Sequence, residues 1–179
     1  FPGTVIEDLE NKALIINGHT VHMIDAKNPE DIDYTKYGIS NALVIDNTGV
    51  FRDDKELSRH LQAKGVDKVL LTAPAKGDVP NVVHGINHET VNLKTQKIFS
   101  AASCTTNAIM PILYAIDKEL GIQKGHIETV HSYTNDQNLL DNYHKKYRRG
   151  RSAALNMVIT ETGAESALKK VLPHLSGKF

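Results

Sequence analysis

The chain has one cysteine, Cys104, in the run Ser103-Cys104-Thr105-Thr106-Asn107. A lone cysteine is usually a small buried apolar residue, but its neighbours here suit a nucleophile. Phe99 to Ala102 reads as irregular. From Ala108 to Leu120, apolar residues recur at helical spacing: Ile109, Ile112, Leu113, Ile116 and Leu120. Ser103, Thr105 and Thr106 are residues that cap a helix start. A thiol there meets the positive end of the helix dipole and unpaired backbone N–H groups, and both favour the thiolate. A second run, Thr129-Val130-His131-Ser132-Tyr133-Thr134, offers an imidazole base for that thiol.

Placing these two groups together requires a scaffold, and the rest of the chain reads as one. Two short apolar runs within 13–24 flank Asn17-Gly18, a hairpin signal. Asn28-Pro29-Glu30-Asp31 reads as a turn or helix start. Ala42 to Asp46 is a continuous apolar run, the pattern of a buried parallel strand. Asp53 to Lys64 reads as a helix stopped by Gly65, and Lys68 to Thr72 as the next buried strand. Asn81 to Gly85 is a candidate short strand. Strand, helix and strand in this order indicate an open α/β sheet, which binds ligands at the carboxyl ends of its strands. Asn47-Thr48-Gly49 and Thr72-Ala73-Pro74 fall at those ends. Beyond the cysteine helix, Gly125 to His131 reads as a strand with Ile127, Thr129 and His131 on one face. Residues 135–153 read as a polar loop carrying Lys145, Lys146, Arg148, Arg149 and Arg151. A strand over Ser152 to Thr160 and a helix over Gly163 to Leu172 complete the reading.

Lys+Arg 21 and Asp+Glu 21 cancel, so no global charge draws the chain to nucleic acid or to a membrane. The basic residues of 145–151 are few and interrupted, so among a nucleic-acid patch, a solvated loop and an anion site, the first fits least. A hydrophobic content of 40% suffices for a core, and no apolar stretch is long enough to span a bilayer. One cysteine excludes an internal disulfide and agrees with a reducing compartment. No metal site is expected. The chain starts at Phe1 without methionine and stops at Phe179 after an amphipathic run, which reads as an internal piece of a longer protein.

The cysteine and histidine blocks together resemble those of glyceraldehyde-3-phosphate dehydrogenases. The likeness extends through Asn47-Thr48-Gly49-Val50-Phe51, Thr72-Ala73-Pro74-Ala75-Lys76-Gly77-Asp78, Gly85-Ile86-Asn87-His88, His131 to Asn138, Arg148-Arg149-Gly150-Arg151 and Thr162-Gly163-Ala164. The blocks keep the family's order over essentially the whole chain. The resemblance implies the C-terminal part of a Rossmann-type dinucleotide-binding domain (residues 1–103), followed by the start of an α+β catalytic domain (residues 104–179). It implies NAD or NADP, held by Asn47, Thr48, Gly49, Thr72 and Ala73. The glycine fingerprint and its acidic partner would precede Phe1, so no residue present decides between the two cofactors.

The implied reaction is phosphorylating oxidation of glyceraldehyde 3-phosphate, in glycolysis or gluconeogenesis. Cys104 would attack the aldehyde and carry a thioester, and His131 would stabilise the thiolate and take the hydroxyl proton. Ser103 and Thr105 would serve the incoming inorganic phosphate and Thr134 the phosphate of the triose substrate. Arg149, Thr162 and Gly163 would join one or other anion site. Erythrose 4-phosphate is the alternative substrate. The resemblance further implies a cytoplasmic homotetramer when full length, without nucleic-acid or membrane partners; this piece alone is expected to be inactive. Ala101 stands where asparagine is usual, Asp46-Asn47 where Glu-Ser is frequent, and Ile159 and Glu161 where proline and serine are common. These departures suggest a bacterial-type branch. Without the resemblance, a cysteine hydrolase or acyltransferase using Cys104 and His131, or a non-catalytic binding role, stays open.

Overall fold

A computed structural model describes residues 3–179. Phe1 and Pro2, at the head of the first expected domain, lie outside the described residues. The fold is mixed α/β, with one antiparallel and one parallel sheet of three strands each. The antiparallel sheet is a meander of β1 (Val5–Asp8), β2 (Ala13–Ile16) and β3 (His19–His22). Asn17 and Gly18 both take positive φ, 51° and 84°, as a tight two-residue hairpin turn requires. Asn28-Pro29 opens a 3-10 turn, Pro29–Asp31, with proline in its first turn, where a missing N–H costs nothing.

The parallel sheet has the order β4 (Ala42–Asp46), β5 (Val66–Leu71), β6 (Ile98–Ser100). Helix α1 (Asp54–Leu61) crosses between the first two strands. Asp53 starts it through a reciprocal capping box. Its carboxylate accepts from the Glu56 N–H at 2.9 Å, and the Glu56 carboxylate accepts from the Asp53 N–H at 3.4 Å. The helix ends at Leu61, short of the expected Lys64. Leu57 drives it onto the sheet beside Val69, Leu71 and Ile98, with Ala75 and Val79 beneath. Burying one such leucine stabilises the fold by roughly 1.5–3 kcal/mol.

This helix covers only one face. Along β4 the inward positions are Val44 and Asp46, whereas Leu43 and Ile45 stay exposed. The expectation of a fully buried strand is therefore corrected, because alternating side chains point to opposite faces and only one is packed.

A second core joins the remaining helices. Helix α2 (Cys104–Leu120) contributes Met110 and α3 (Ala164–Val171) contributes Leu168 and Val171. Ala102, Val83, Leu172 and Leu175 close it. Lys170 ties α3 back to the loop after β5, donating to the carbonyls of Ala75 at 3.1 Å and Gly77 at 3.0 Å.

Four local expectations are corrected. Ile98 to Ser100 is a strand, whereas Phe99 and Ser100 read as irregular. Asn81 to Gly85 is not a strand: it makes a single bridge, Asn81 to Ser100, before Asn87 captures the Val83 N–H at 2.7 Å. Gly125 to His131 and Ser152 to Thr160 form no strand. Among the described residues neither segment has a neighbouring strand to pair with, and Val130, Leu155, Met157 and Ile159 are exposed.

Candidate active site

The carboxyl ends of β4, β5 and β6 are stitched into one edge. Thr72 donates its N–H to the Asp46 carbonyl at 2.9 Å, next to the hydroxyl of the same residue at 3.2 Å. Asp46 is buried and turns the chain at the end of β4. Its carboxylate accepts from the Thr48 N–H at 2.9 Å and the Thr48 hydroxyl at 2.8 Å, and lies 3.0 Å from His60 Nε2. Burial works against ionisation of Asp46, but the Thr48 N–H and hydroxyl, then His60, outweigh it and hold the group below the usual carboxylate range. The Asn47-Thr48-Gly49 and Thr72-Ala73 turns thus sit side by side at one sheet edge.

From β6 the chain passes through Ala101, whose N–H bonds the Leu71 carbonyl at 2.9 Å, into Ala102. Ala102 has φ 60° while carrying a Cβ, a left-handed conformation that costs about 1–2 kcal/mol. That reversal aims the chain into α2. Ser103 is the cap: its Oγ accepts from the Thr106 N–H at 3.0 Å and lies 2.7 Å from the Thr106 hydroxyl. The helix therefore begins at Cys104 itself, one turn earlier than the apolar periodicity marks. The thiol occupies the first helical position and is exposed.

His131 arrives from the other side. After α2, Gly121 (φ 71°) ends the helix, and Lys178 pins the return by donating to the Ile122 carbonyl at 2.6 Å. Gly125 donates its N–H to the Lys178 carbonyl at 2.8 Å and passes against Phe179. A Cβ on Gly125 would lie 2.2 Å from a carbon of that ring, so no other residue fits without a shift. The extended stretch that follows carries His131 to Cys104, with 3.3 Å between Nε2 and Sγ.

The second imidazole nitrogen fixes the chemistry of the first. Nδ1 lies 2.6 Å from the Ser132 carbonyl oxygen, which can only accept, so Nδ1 carries a proton. Nε2 therefore either accepts from the thiol or, once protonated, donates to a thiolate. The His131 hydrogen bond holds the Cys104 pKa below that of an ordinary thiol; desolvation opposes this and the Thr105 hydroxyl, 4.0 Å from Sγ, assists. Reciprocally, the bond to Cys104 and then that to Ser132 raise the pKa of His131. Both shifts favour a thiolate–imidazolium pair.

The other expected residues form a separate cluster. Arg149 pairs with Asp136, and faces the Thr160 hydroxyl and the Glu161 carbonyl, each at 3.4 Å. It thereby joins the segment of Thr134, whose hydroxyl accepts from the Asp136 N–H at 3.4 Å, to the segment leading into Thr162 and Gly163. Thr162 Oγ1 accepts from the Ala164 N–H at 3.3 Å, where α3 begins. Among the described residues no hydrogen bond links Thr134, Arg149, Thr162 or Gly163 to the Cys104–His131 pair. Sequence reasoning assigned no role to Asp46, His60 or Asp136. The signal available was charge alone: an aspartate that closes an apolar strand, and an acidic residue inside a basic loop.

The chain is similar to known proteins along its length. Residues 103–179 match the family model described as glyceraldehyde 3-phosphate dehydrogenase, C-terminal domain. A glyceraldehyde-3-phosphate dehydrogenase-like protein of Pseudomonas aeruginosa is 58% identical over 179 residues, covering 100% of this chain and 39% of its own length. The chloroplastic glyceraldehyde-3-phosphate dehydrogenase A of Zea mays is 44% identical, over 97% of this chain and 42% of its own. The glyceraldehyde-3-phosphate dehydrogenase of Zymomonas mobilis is 41% identical, over 100% of this chain and 52% of its own. The chain thus spans about half, or somewhat less, of the length of these curated relatives. Residues 103–179 thus carry the likeness to the C-terminal domain of glyceraldehyde-3-phosphate dehydrogenases, and the chain is similar to proteins of that name along essentially its full extent.

Proposed function

We propose that the full-length protein carries out the phosphorylating oxidation of D-glyceraldehyde 3-phosphate to 1,3-bisphosphoglycerate with NAD or NADP. The observation that carries this reading is the 3.3 Å approach of His131 Nε2 to Cys104 Sγ at the start of α2. The thiolate adds to the aldehyde carbon, and the helix N-terminus favours the charge that develops there. His131 removes the hydroxyl proton of the resulting hemithioacetal, and later the thiolate leaves as phosphate attacks the thioester. A nicotinamide cofactor, when bound, accepts the hydride that turns the hemithioacetal into the thioester.

The strand-end turns fit such a cofactor. Gly49 has φ 75° and open space above its Cα, and Asn47, Thr48, Thr72 and Ala73 line the same edge. Ser103 and Thr105 would hold the incoming phosphate, and Thr134, Arg149, Thr162 and Gly163 would serve the anion sites. In this reading residues 1–103 belong to the cofactor domain and 104–179 to the catalytic domain, and the full-length protein is a cytoplasmic homotetramer.

The test is turnover by the full-length protein, followed by nicotinamide absorbance with each cofactor, with and without inorganic phosphate. Reduction that requires glyceraldehyde 3-phosphate and phosphate is expected. Phosphate-independent reduction would remove the acyl-phosphate step, and faster turnover of erythrose 4-phosphate would favour that substrate instead. No absorbance change with either sugar would return the pair to hydrolase chemistry.

A further inference from the structure

One buried hydroxyl lies between the nucleophile and the proposed cofactor edge without belonging to either. Ser100, the last residue of β6, has no exposed surface. Its Oγ is 2.6 Å from the Ala73 carbonyl oxygen and 2.9 Å from the Ala102 nitrogen. A hydroxyl has one proton and two lone pairs, so it accepts from Ala102 while its proton is directed at the Ala73 carbonyl, the nearer of two acceptors, with Asn81 Oδ1 the other at 3.2 Å. Ala73 belongs to the turn after β5. Ala102 is the left-handed residue that swings the chain into α2, two positions before Cys104. It is buried in the core of Met110 and Leu168, so its N–H has no access to water as a substitute partner.

An alanine keeps a positive φ only where its surroundings over-determine it. Here the determinants are the packing of its methyl group, this hydrogen bond, and the Asn107 side-chain amide, which donates to the Ala101 carbonyl at 2.8 Å on the other side of the same peptide. We infer that Ser100 is a positioning residue for the nucleophile: its hydroxyl clamps left-handed Ala102 to the turn after β5, and so sets where Cys104 Sγ stands relative to His131. The inference rests on the proposed dehydrogenase reading only for what the thiol is used for; the clamp concerns the thiol alone. A purely structural hydroxyl would behave differently, since its removal would lower the melting temperature and leave the thiol unchanged.

The experiment follows alkylation of Cys104 by iodoacetamide in the full-length protein, read by mass at the Cys104 peptide, across pH and well below the melting temperature. Ser100→Ala is expected to slow alkylation at neutral pH about ten-fold or more and to move its midpoint to higher pH, since small misplacements of reacting groups have large rate effects. The decline in kcat should be comparable, with little change in KM for the aldehyde. Ser100→Thr keeps the hydroxyl and should stay within about two-fold of the parent. Ala102→Gly supplies a cycle: glycine takes positive φ unaided, so adding Ser100→Ala to it should cost less than about three-fold.

A parent-like alkylation profile in Ser100→Ala would overturn the clamp, as would a Ser100→Thr protein as slow as Ser100→Ala. So would an equal cost of Ser100→Ala in both backgrounds. If Ser100→Ala does not fold, Ala102→Gly with and without it carries the test, and a further ten-fold loss there overturns the clamp. Absence of nicotinamide reduction in the parent protein would sink the dehydrogenase reading while leaving the alkylation ranking intact.

Discussion

Cys104 and His131 meet at 3.3 Å but are held in different ways. The thiol stands on a scaffold: three stitched strand ends, a buried Ala102, a capped helix start, and Met110 packed in one core with Leu168 nearly two turns beyond. The imidazole rides on an exposed extended stretch that joins no sheet, and its own hydrogen bonds are to Ser132 and to Cys104. Core packing therefore dictates the place of the nucleophile. The base is oriented locally, by one carbonyl and by the thiol it serves.

Replacing each partner in the full-length protein tests that asymmetry. Cys104→Ser should remove turnover by more than about 10⁴-fold, since a nucleophile acting as part of a unit has no substitute. Measurable oxidation near the parent rate would show that the scaffold carries something other than the nucleophile. His131→Asn should lower kcat by roughly 10²–10⁴-fold, the usual contribution of a positioned acid–base group. It should also move the alkylation midpoint of Cys104 upward. The sign follows from the pairing: His131 lowers the pKa of the thiol, so the parent keeps its thiolate to lower pH than the variant does. An unmoved midpoint would mean that the helix end alone activates the sulfur.

Smaller effects are expected further out. Arg149→Met should release the Thr134 segment from the segment before Thr162 and raise KM for the phosphorylated aldehyde about ten-fold, more than it lowers kcat. An unchanged KM would detach that cluster from substrate binding. Lys170→Met should lower stability by about 1 kcal/mol, because of its two carbonyl bonds the one to Gly77 is exposed and the one to Ala75 only partly buried. Denaturant unfolding would measure this, and a loss confined to the loop after β5 would show that the two cores unfold separately.

The features legible in the sequence are those set by local chemistry. Asn17-Gly18 announced its hairpin, the run from Asp53 most of its helix, and the apolar run from Lys68 its strand. The Cys104 and His131 blocks were legible for the same reason, since hydroxyl caps and an imidazole carry their chemistry in their side chains. What depends on distant partners was misread. Ile127 and Leu155 lie in β-like patterns, yet a strand needs a neighbour to pair with, and no pattern within one segment supplies it. Ser100 read as part of an irregular segment, because the carbonyl and amide groups it joins lie in different parts of the chain. The exposure of Leu43 and Ile45 was hidden for a similar reason, as a run of apolar residues does not say how many of its faces are covered.

The absent side chain at Gly125 reaches further than its own neighbourhood. Because a Cβ there would overlap the Phe179 ring, adding a single methyl group requires either that ring or the six-residue arm with the imidazole at its tip to shift. The arm that carries the base therefore rests against an aromatic ring more than fifty positions downstream of Gly125. Gly125→Ala tests which of the two yields: slower alkylation of Cys104 would show that the arm moves, and an unchanged rate that the ring gives way.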